Sequence, residues 1–186
     1  MNDWLIVKQT EKKDRGCFAI RDIPKETQII EYKGKIVSKS LAEKMESKHK
    51  AKGELWIFTL NKNQDIDASR GGNEARFINH SCSTNCEPVN YDDEEIWIEA
   101  TQDIKKGEEI TYNYGFDGPD EYFPCLCGSK NCCGWIVDED YKFKPGEKEE
   151  LQKEHDKLLE DPFLQKKTHF KHSKEHIEIV QDKNKL

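Results

Sequence analysis

A mainly β fold built from several small sheets is what this 186-residue sequence predicts, and three observations carry the expectation. Its apolar runs are short and are cut by turn residues. Only one stretch within the first 137 residues has clear helical patterning. Four of the seven cysteines fall in "PCLCGSKNCCGW", residues 124–135, the mark of a loop-rich segment held by a metal.

Each element follows from its residues. "DWLIVKQT" and "RGCFAIRDI" read as strands ended by polar turns, and "QIIEYKGKIV" as strand material broken at Gly34. "SKSLAEKMESKHKAK" predicts the helix, with Ser38 or Ser40 as N-cap and Gly53 as stop. "LWIFTLN" and "IDAS" return to strand, as do "EEIWIEATQDI" and "EEITYNY", which Lys105, Lys106 and Gly107 separate. "FKPGEK" marks a boundary, after which "EKEELQKEHDKLLE" predicts a helix that Asp161-Pro162 ends. The remainder, to Leu186, is charged and weakly patterned. His169, His172 and His176 have helical spacing that can bind metal, but a solvated polar helix or frayed end is the better reading.

Composition excludes several classes. Apolar residues are 34% and charged residues 36%, and no run approaches the roughly 20 apolar residues of a membrane helix. The apolar run near the N-terminus is too short for a signal peptide, so a reducing compartment is expected, where cysteines serve as thiols or metal ligands. The net charge of −7 is unevenly spread: residues 1–85 hold 16 basic and 12 acidic residues, and residues 86–140 hold 3 and 15. An acidic middle block argues against direct nucleic-acid binding and for a cationic partner such as a lysine-rich peptide, with a solvated acidic surface as the plain alternative.

The cysteine string poses a question. Zinc takes four ligands. Cys132 and Cys133 are neighbours whose side chains point apart, so the string offers Cys125, Cys127 and Cys132 and lacks one ligand. Cys17, Cys82, Cys86 and Cys133 are all candidates for the fourth.

Five segments together carry a resemblance: "DRGCFA" at 14–19, "EYKG" at 31–34, "IDASRGGNEARFINHSCSTNC" at 66–86, "GEEITYNYGFD" at 107–117, and the cysteine string. In that order they resemble a SET-domain protein lysine methyltransferase with a post-SET zinc motif, over residues 4–137. The resemblance implies several small sheets with a pseudoknot, a SET domain over 4–120, a post-SET zinc segment over 121–137, and a charged, helical extension over 141–186. It implies Cys82 as the fourth zinc ligand, a structural staple drawing the string to the active-site lining. Cys17 and Cys86 are then small buried residues, and Cys133 is a free thiol.

The resemblance also implies the chemistry, methyl transfer from S-adenosylmethionine to a lysine. Tyr114 matches the catalytic tyrosine, Tyr32 a channel tyrosine that orients the amine, and Tyr112 the Phe/Tyr switch, where a hydroxyl favours mono- or dimethylation. On periodicity alone these three would be ordinary strand aromatics. Arg15, Gly16 and Cys17 match the loop whose backbone binds the cofactor, with Asp14 in place of the family's first glycine; if that position needs positive φ, Asp tolerates it better than most residues, so binding is expected to survive. Trp56, Arg76, Asn79, His80 and Tyr112 join the cofactor-binding set. Trp135, Ile136 and Val137 resemble the flap over the adenine, and Asp67 and Asn73 are structural. The implied substrate is a basic, lysine-containing protein such as a histone tail or another DNA-associated protein. The implied location is the nucleus or chromosome in a eukaryote, and the cytoplasm or a host cell for a bacterial or viral chain. Two readings compete with catalysis: a catalytically silent scaffold that binds basic peptides, and a structural zinc protein with no cofactor.

Overall fold

The computed structural model describes residues 2–10, 14–50, 54–119 and 123–160. They form two compact units. Among the described residues, the first comprises those within 2–9, 15–79 and 84–112, and the second residues 10, 14 and 80–83 and those within 113–160.

The first unit is three small sheets. One sheet has the order β1-β2-β10-β7, from strands Leu5–Gln9 (β1), Arg15–Ala19 (β2), Glu109–Tyr112 (β10) and the two-residue Asn79–His80 (β7). A second runs β3-β9-β8, from Gln28–Glu31 (β3), Glu95–Ala100 (β9) and Cys86–Tyr91 (β8). The third runs β4-β6-β5, from Lys35–Ser38 (β4), Gln64–Asp67 (β6) and Ile57–Thr59 (β5). The pairs β1–β2, β2–β10, β3–β9, β8–β9, β4–β6 and β5–β6 are antiparallel. Alternation explains the burial: Ile96, Ile98 and Ala100 of β9 are buried, while Glu95, Trp97 and Glu99 between them are not. Ile23, Ile78, Ile104 and Ile110 complete a core rich in β-branched residues.

The expected helix is α1, Lys39–Lys50, which directly follows Ser38. Ser38 Oγ lies 3.3 Å from Ser40 Oγ, and Gly53 is outside the described residues. Gly34 is needed for close approach, because a Cβ there would sit 2.6 Å from the carbonyl oxygen of Asp67. "CEPVNY" was not expected as a strand and forms β8. It joins β9 through Asp92 and Asp93, both with positive φ, in a turn closed by Glu94 N–H donating to the Tyr91 carbonyl at 3.0 Å.

In the second unit, Asp14 has φ of 61°, a left-handed conformation that Asp tolerates better than most residues, and its carbonyl accepts from Thr10 N–H at 2.7 Å. Helix α2, Glu147–Glu160, matches the predicted segment residue for residue. Glu147 fastens its start, accepting from Lys144 N–H and Tyr141 Oη–H, both at 2.7 Å. Glu147, Glu149 and Glu150 in its first turn complement the helix dipole. The helix is not solvated all round, since Leu151 and His155, four residues apart, are buried. No helix of the described residues is long and apolar enough to cross a membrane.

Asp14 gives a direct test of backbone strain. Asp14→Gly is expected to leave stability unchanged or raise it slightly, while Asp14→Val lowers it by about 1–2 kcal/mol, because a β-branched residue is disfavoured at positive φ. Equal urea midpoints for the two variants would contradict this.

Candidate functional site

In the first unit, the aromatic residues expected to matter fall in two groups of ring contacts. Tyr32 and Tyr112 are both buried, and Phe58 stands between them, with ring centroids 5.0 Å from Tyr32 and 6.0 Å from Tyr112. Sequence reasoning missed Phe58. Its signal was the two-residue spacing from Trp56 in "LWIFTL", which puts both on one side of an extended chain. Trp56 meets Phe77 edge-on at 6.3 Å. The Arg76 guanidinium lies over both rings, at 5.1 Å from Trp56 and 4.7 Å from Phe77, and Nη1 donates to the Ala68 carbonyl at 3.0 Å.

Asn79 is held firmly. Its Nδ2 donates to the Arg15 carbonyl at 2.9 Å and to Glu109 Oε1 at 2.7 Å. The Arg15 guanidinium lies 3.9 Å from the Phe77 ring centroid. Gly16 and Cys17 lie in β2, paired with Lys8 and Val7 of β1. Cys17 is fully buried, its Sγ donates to the Glu74 carbonyl, and burial pushes its thiol up to about 12. Cys86 is likewise buried and pushed up to about 12, again by burial. Both behave as the small core residues expected of them.

A second missed residue is Asn85. Its Oδ1 accepts from Thr111 N–H and its Nδ2 donates to the Glu109 carbonyl, both at 2.9 Å. Its backbone N–H adds a bond to the Thr111 carbonyl at 3.3 Å. The side-chain amide imitates a neighbouring strand and fixes the segment that ends in Tyr112. The sequence carries no signal for it beyond an Asn beside a cysteine.

The second unit brings Cys82, Cys125, Cys127 and Cys132 together, with their sulfurs all within 4.8 Å of one another. Cys82 and Cys125 are 3.8 Å apart. A tetrahedron with Zn–S bonds of about 2.3 Å has edges of about 3.8 Å, so this donor set fits zinc and leaves no open coordination position. Supporting hydrogen bonds are already in place. Ser129 N–H donates to Cys127 Sγ at 3.5 Å, Gly134 N–H to Cys132 Sγ at 3.4 Å, and Asn131 Nδ2 to the Cys82 carbonyl at 2.8 Å. Hydrogen bonds from Cys125, Cys132 and Cys82 hold the Cys127 thiol far below the ordinary range, with Cys125 foremost. Cys82 is pushed up, chiefly by its bond to Cys125, and Cys125 chiefly by its bond to Cys127. A cation bound among the four sulfurs would displace the protons they carry. Cys133 stands outside the group of four, and its Sγ donates to the Trp135 carbonyl at 3.3 Å.

His80 ties this cluster to Tyr114. Its Nδ1 accepts from Tyr114 N–H at 3.2 Å, which places its own proton on Nε2, 3.5 Å from Cys82 Sγ. The His80 and Tyr114 rings meet edge-on at 5.5 Å, and Phe116 lies 6.1 Å beyond Tyr114.

Residues 14–115, more than half of the chain, match the SET-domain family model. The chain belongs to the SET-domain family. It is 42% identical over 127 residues to histone-lysine N-methyltransferase trr of Drosophila melanogaster and 40% identical over 127 residues to histone-lysine N-methyltransferase 2D of Homo sapiens. It is 37% identical over 126 residues to the H3 lysine-4 specific histone-lysine N-methyltransferase of Schizosaccharomyces pombe. Each match covers 65% of this chain, but only 5%, 2% and 14% of the respective relatives. This SET-domain chain therefore spans a small part of the length of the curated relatives it matches.

Two measurements follow for the cysteines. Metal analysis is expected to give one zinc per chain, lost in Cys82→Ser and kept in Cys86→Ser; zinc retained by Cys82→Ser would remove Cys82 from the ligand set. For the buried thiols the folded value exceeds the unfolded one, so their contribution to stability is full below pH 9 and is lost as pH rises towards 12. At pH 8 only about one in 10⁴ of each is thiolate. Mass spectrometry is expected to find Cys17 and Cys86 unalkylated in the native protein and labelled at once after denaturation.

Proposed function

We propose that this chain is a protein-lysine N-methyltransferase that uses S-adenosylmethionine and acts on a basic, lysine-containing protein of the histone-tail kind. The observation that carries the reading is the SET-domain match across residues 14–115, which spans Tyr32, Tyr112 and Tyr114. The acidic balance of residues 86–140 supports a basic partner. The names of the relatives support chromatin as the place of work. In this reading residues 4–120 form the SET domain, 121–137 the post-SET zinc segment and 141–186 the extension.

A free lysine amine has a pKa near 10.4, so taking it uncharged at neutral pH costs about 4 kcal/mol. Tyr32, Phe58 and Tyr112 supply apolar ring faces that disfavour the ammonium by desolvation. The Tyr32 hydroxyl orients the neutral nitrogen, and the Tyr114 hydroxyl fixes the line of approach to the transferring carbon. Arg15, Gly16, Cys17, Trp56, Arg76, Asn79, His80 and Tyr112 are the proposed cofactor-binding residues. The rigid hold on Asn79, through Arg15 and Glu109, supports that role, since a binding group whose rotamer is locked loses little entropy. When bound, S-adenosylmethionine supplies a methyl group on a cationic sulfur. The Tyr112 hydroxyl crowds the amine and limits the product to one or two methyls.

Methyl transfer read by mass spectrometry tests this. Core histones and a basic-protein extract are mixed with labelled S-adenosylmethionine and the protein, with Tyr114→Phe as control. A gain of one or two methyls on a lysine is expected, with the control slower by about 10²–10³-fold. No transfer by the wild type overturns the reading in favour of a silent scaffold. Tyr112→Phe should extend the product towards three methyls. The rate should rise from pH 7 to 9 as more amine becomes neutral, and a flat profile would show that deprotonation does not limit it.

A further inference from the structure

Trp135 and Val137 resemble a flap over the cofactor, yet the structure gives their side chains another duty. Both are buried in a cluster with Leu151 of α2, and Cys133, Tyr141 and Phe143 pack around it. His155, fully buried one helical turn beyond Leu151, meets Trp135 edge-on with centroids 6.1 Å apart. The start of α2 is anchored by Tyr141 and Lys144 through Glu147, and Lys148 Nζ lies 4.6 Å from the Phe143 ring centroid. The stretch 132–137 is therefore gripped twice. Cys132 binds it to the sulfur cluster, and Cys133, Trp135 and Val137 bind it to α2. Between the grips, Pro124 bridges Trp135, and Cys125 N–H donates to the Gly134 carbonyl at 2.9 Å.

The sulfur cluster alone cannot fix residues 135–137. A metal at Cys132 sets the position of one end only, and Trp135 would otherwise expose a large apolar surface to water. Leu151 and His155 supply the missing wall. They lie beyond the residues that the SET-domain model matches, in a helix whose other positions are mostly charged.

We infer that α2 is a built-in brace for the post-SET segment, and that Leu151 and His155 are positioning residues which act through Trp135 and Val137 on cofactor binding. The inference rests on the methyltransferase reading. It gives the extension a role in the reaction although it touches no reacting atom.

The test uses the full-length protein with Leu151→Asp and His155→Ala, the conservative variants Leu151→Met and His155→Phe, and Lys153→Ala on the exposed side of α2. Zinc content should stay at one per chain in all of them. The KM for S-adenosylmethionine should rise about tenfold or more in Leu151→Asp and His155→Ala, while the KM for peptide changes less than about twofold. The Met, Phe and Lys153→Ala variants should stay near wild type. An unchanged cofactor KM, or equal rises in both KM values with loss of zinc, overturns the positioning role. If Leu151→Asp does not fold, His155→Ala and Leu151→Ala carry the comparison. If the wild type itself neither binds nor uses S-adenosylmethionine, the methyltransferase reading has failed. The brace is then judged by hydrogen exchange over residues 133–143, which should quicken in His155→Ala and not in His155→Phe; equal exchange overturns the brace.

Discussion

Convergence of four sulfurs is the constraint on which the second unit depends. Residues 123–137 have almost no ladder of their own, only the bridge between Pro124 and Trp135 among the described residues. Such a segment cannot bury enough apolar surface to offset the entropy of ordering it. Cys82 changes that balance because it comes from 43 positions before Cys125. Closing that loop at a metal removes far more freedom from the unfolded chain than a local clip would. The backbone N–H groups of Ser129 and Gly134 then stabilise charge on the sulfurs, so the ligand set and the turns that carry it support each other.

The same convergence reaches the candidate catalytic tyrosine through one imidazole. His80 accepts from the backbone of Tyr114 on one side and faces Cys82 on the other. Its tautomer is fixed by the first contact, and the second then presents a proton to a sulfur that carries charge when metal is bound. Removing the metal would thus disturb the orientation of His80 and the backbone before Gly115, not only the cysteine loops. A zinc held by these sulfurs would in this way be mechanically joined to the Tyr114 backbone with no shared ligand.

Much of this was legible in the residues. Short apolar runs between turn residues gave most of the strands, because alternation and turn chemistry are local properties. Strand β8 escaped because "CEPVNY" contains a proline and little aliphatic character; its pairing to β9 is decided by the Asp92-Asp93 turn and by its neighbour. Asp14 was legible as a positive-φ position because a family pattern marks the place of glycine and Asp tolerates that conformation. The roles of Phe58 and Asn85 were not, since they lie in partners 24 residues away or more: Tyr32 and Tyr112 for one, Thr111 and Glu109 for the other. No window of sequence contains such a pair.

Helix α2 shows how composition can mislead about burial. Its fourteen residues are mostly charged, and charge density suggests a solvated appendage. Burial needs only a narrow stripe, however, and Leu151 and His155 at i and i+4 provide one. Histidine hides the stripe, because it counts as polar in any hydropathy average yet offers a flat ring to Trp135. The enclosed tryptophan could not remain buried beside a mobile chain end. Its near-complete burial therefore requires the helix to stay docked, and a segment that reads as a solvated appendage by charge is bound to the cysteine loop by packing.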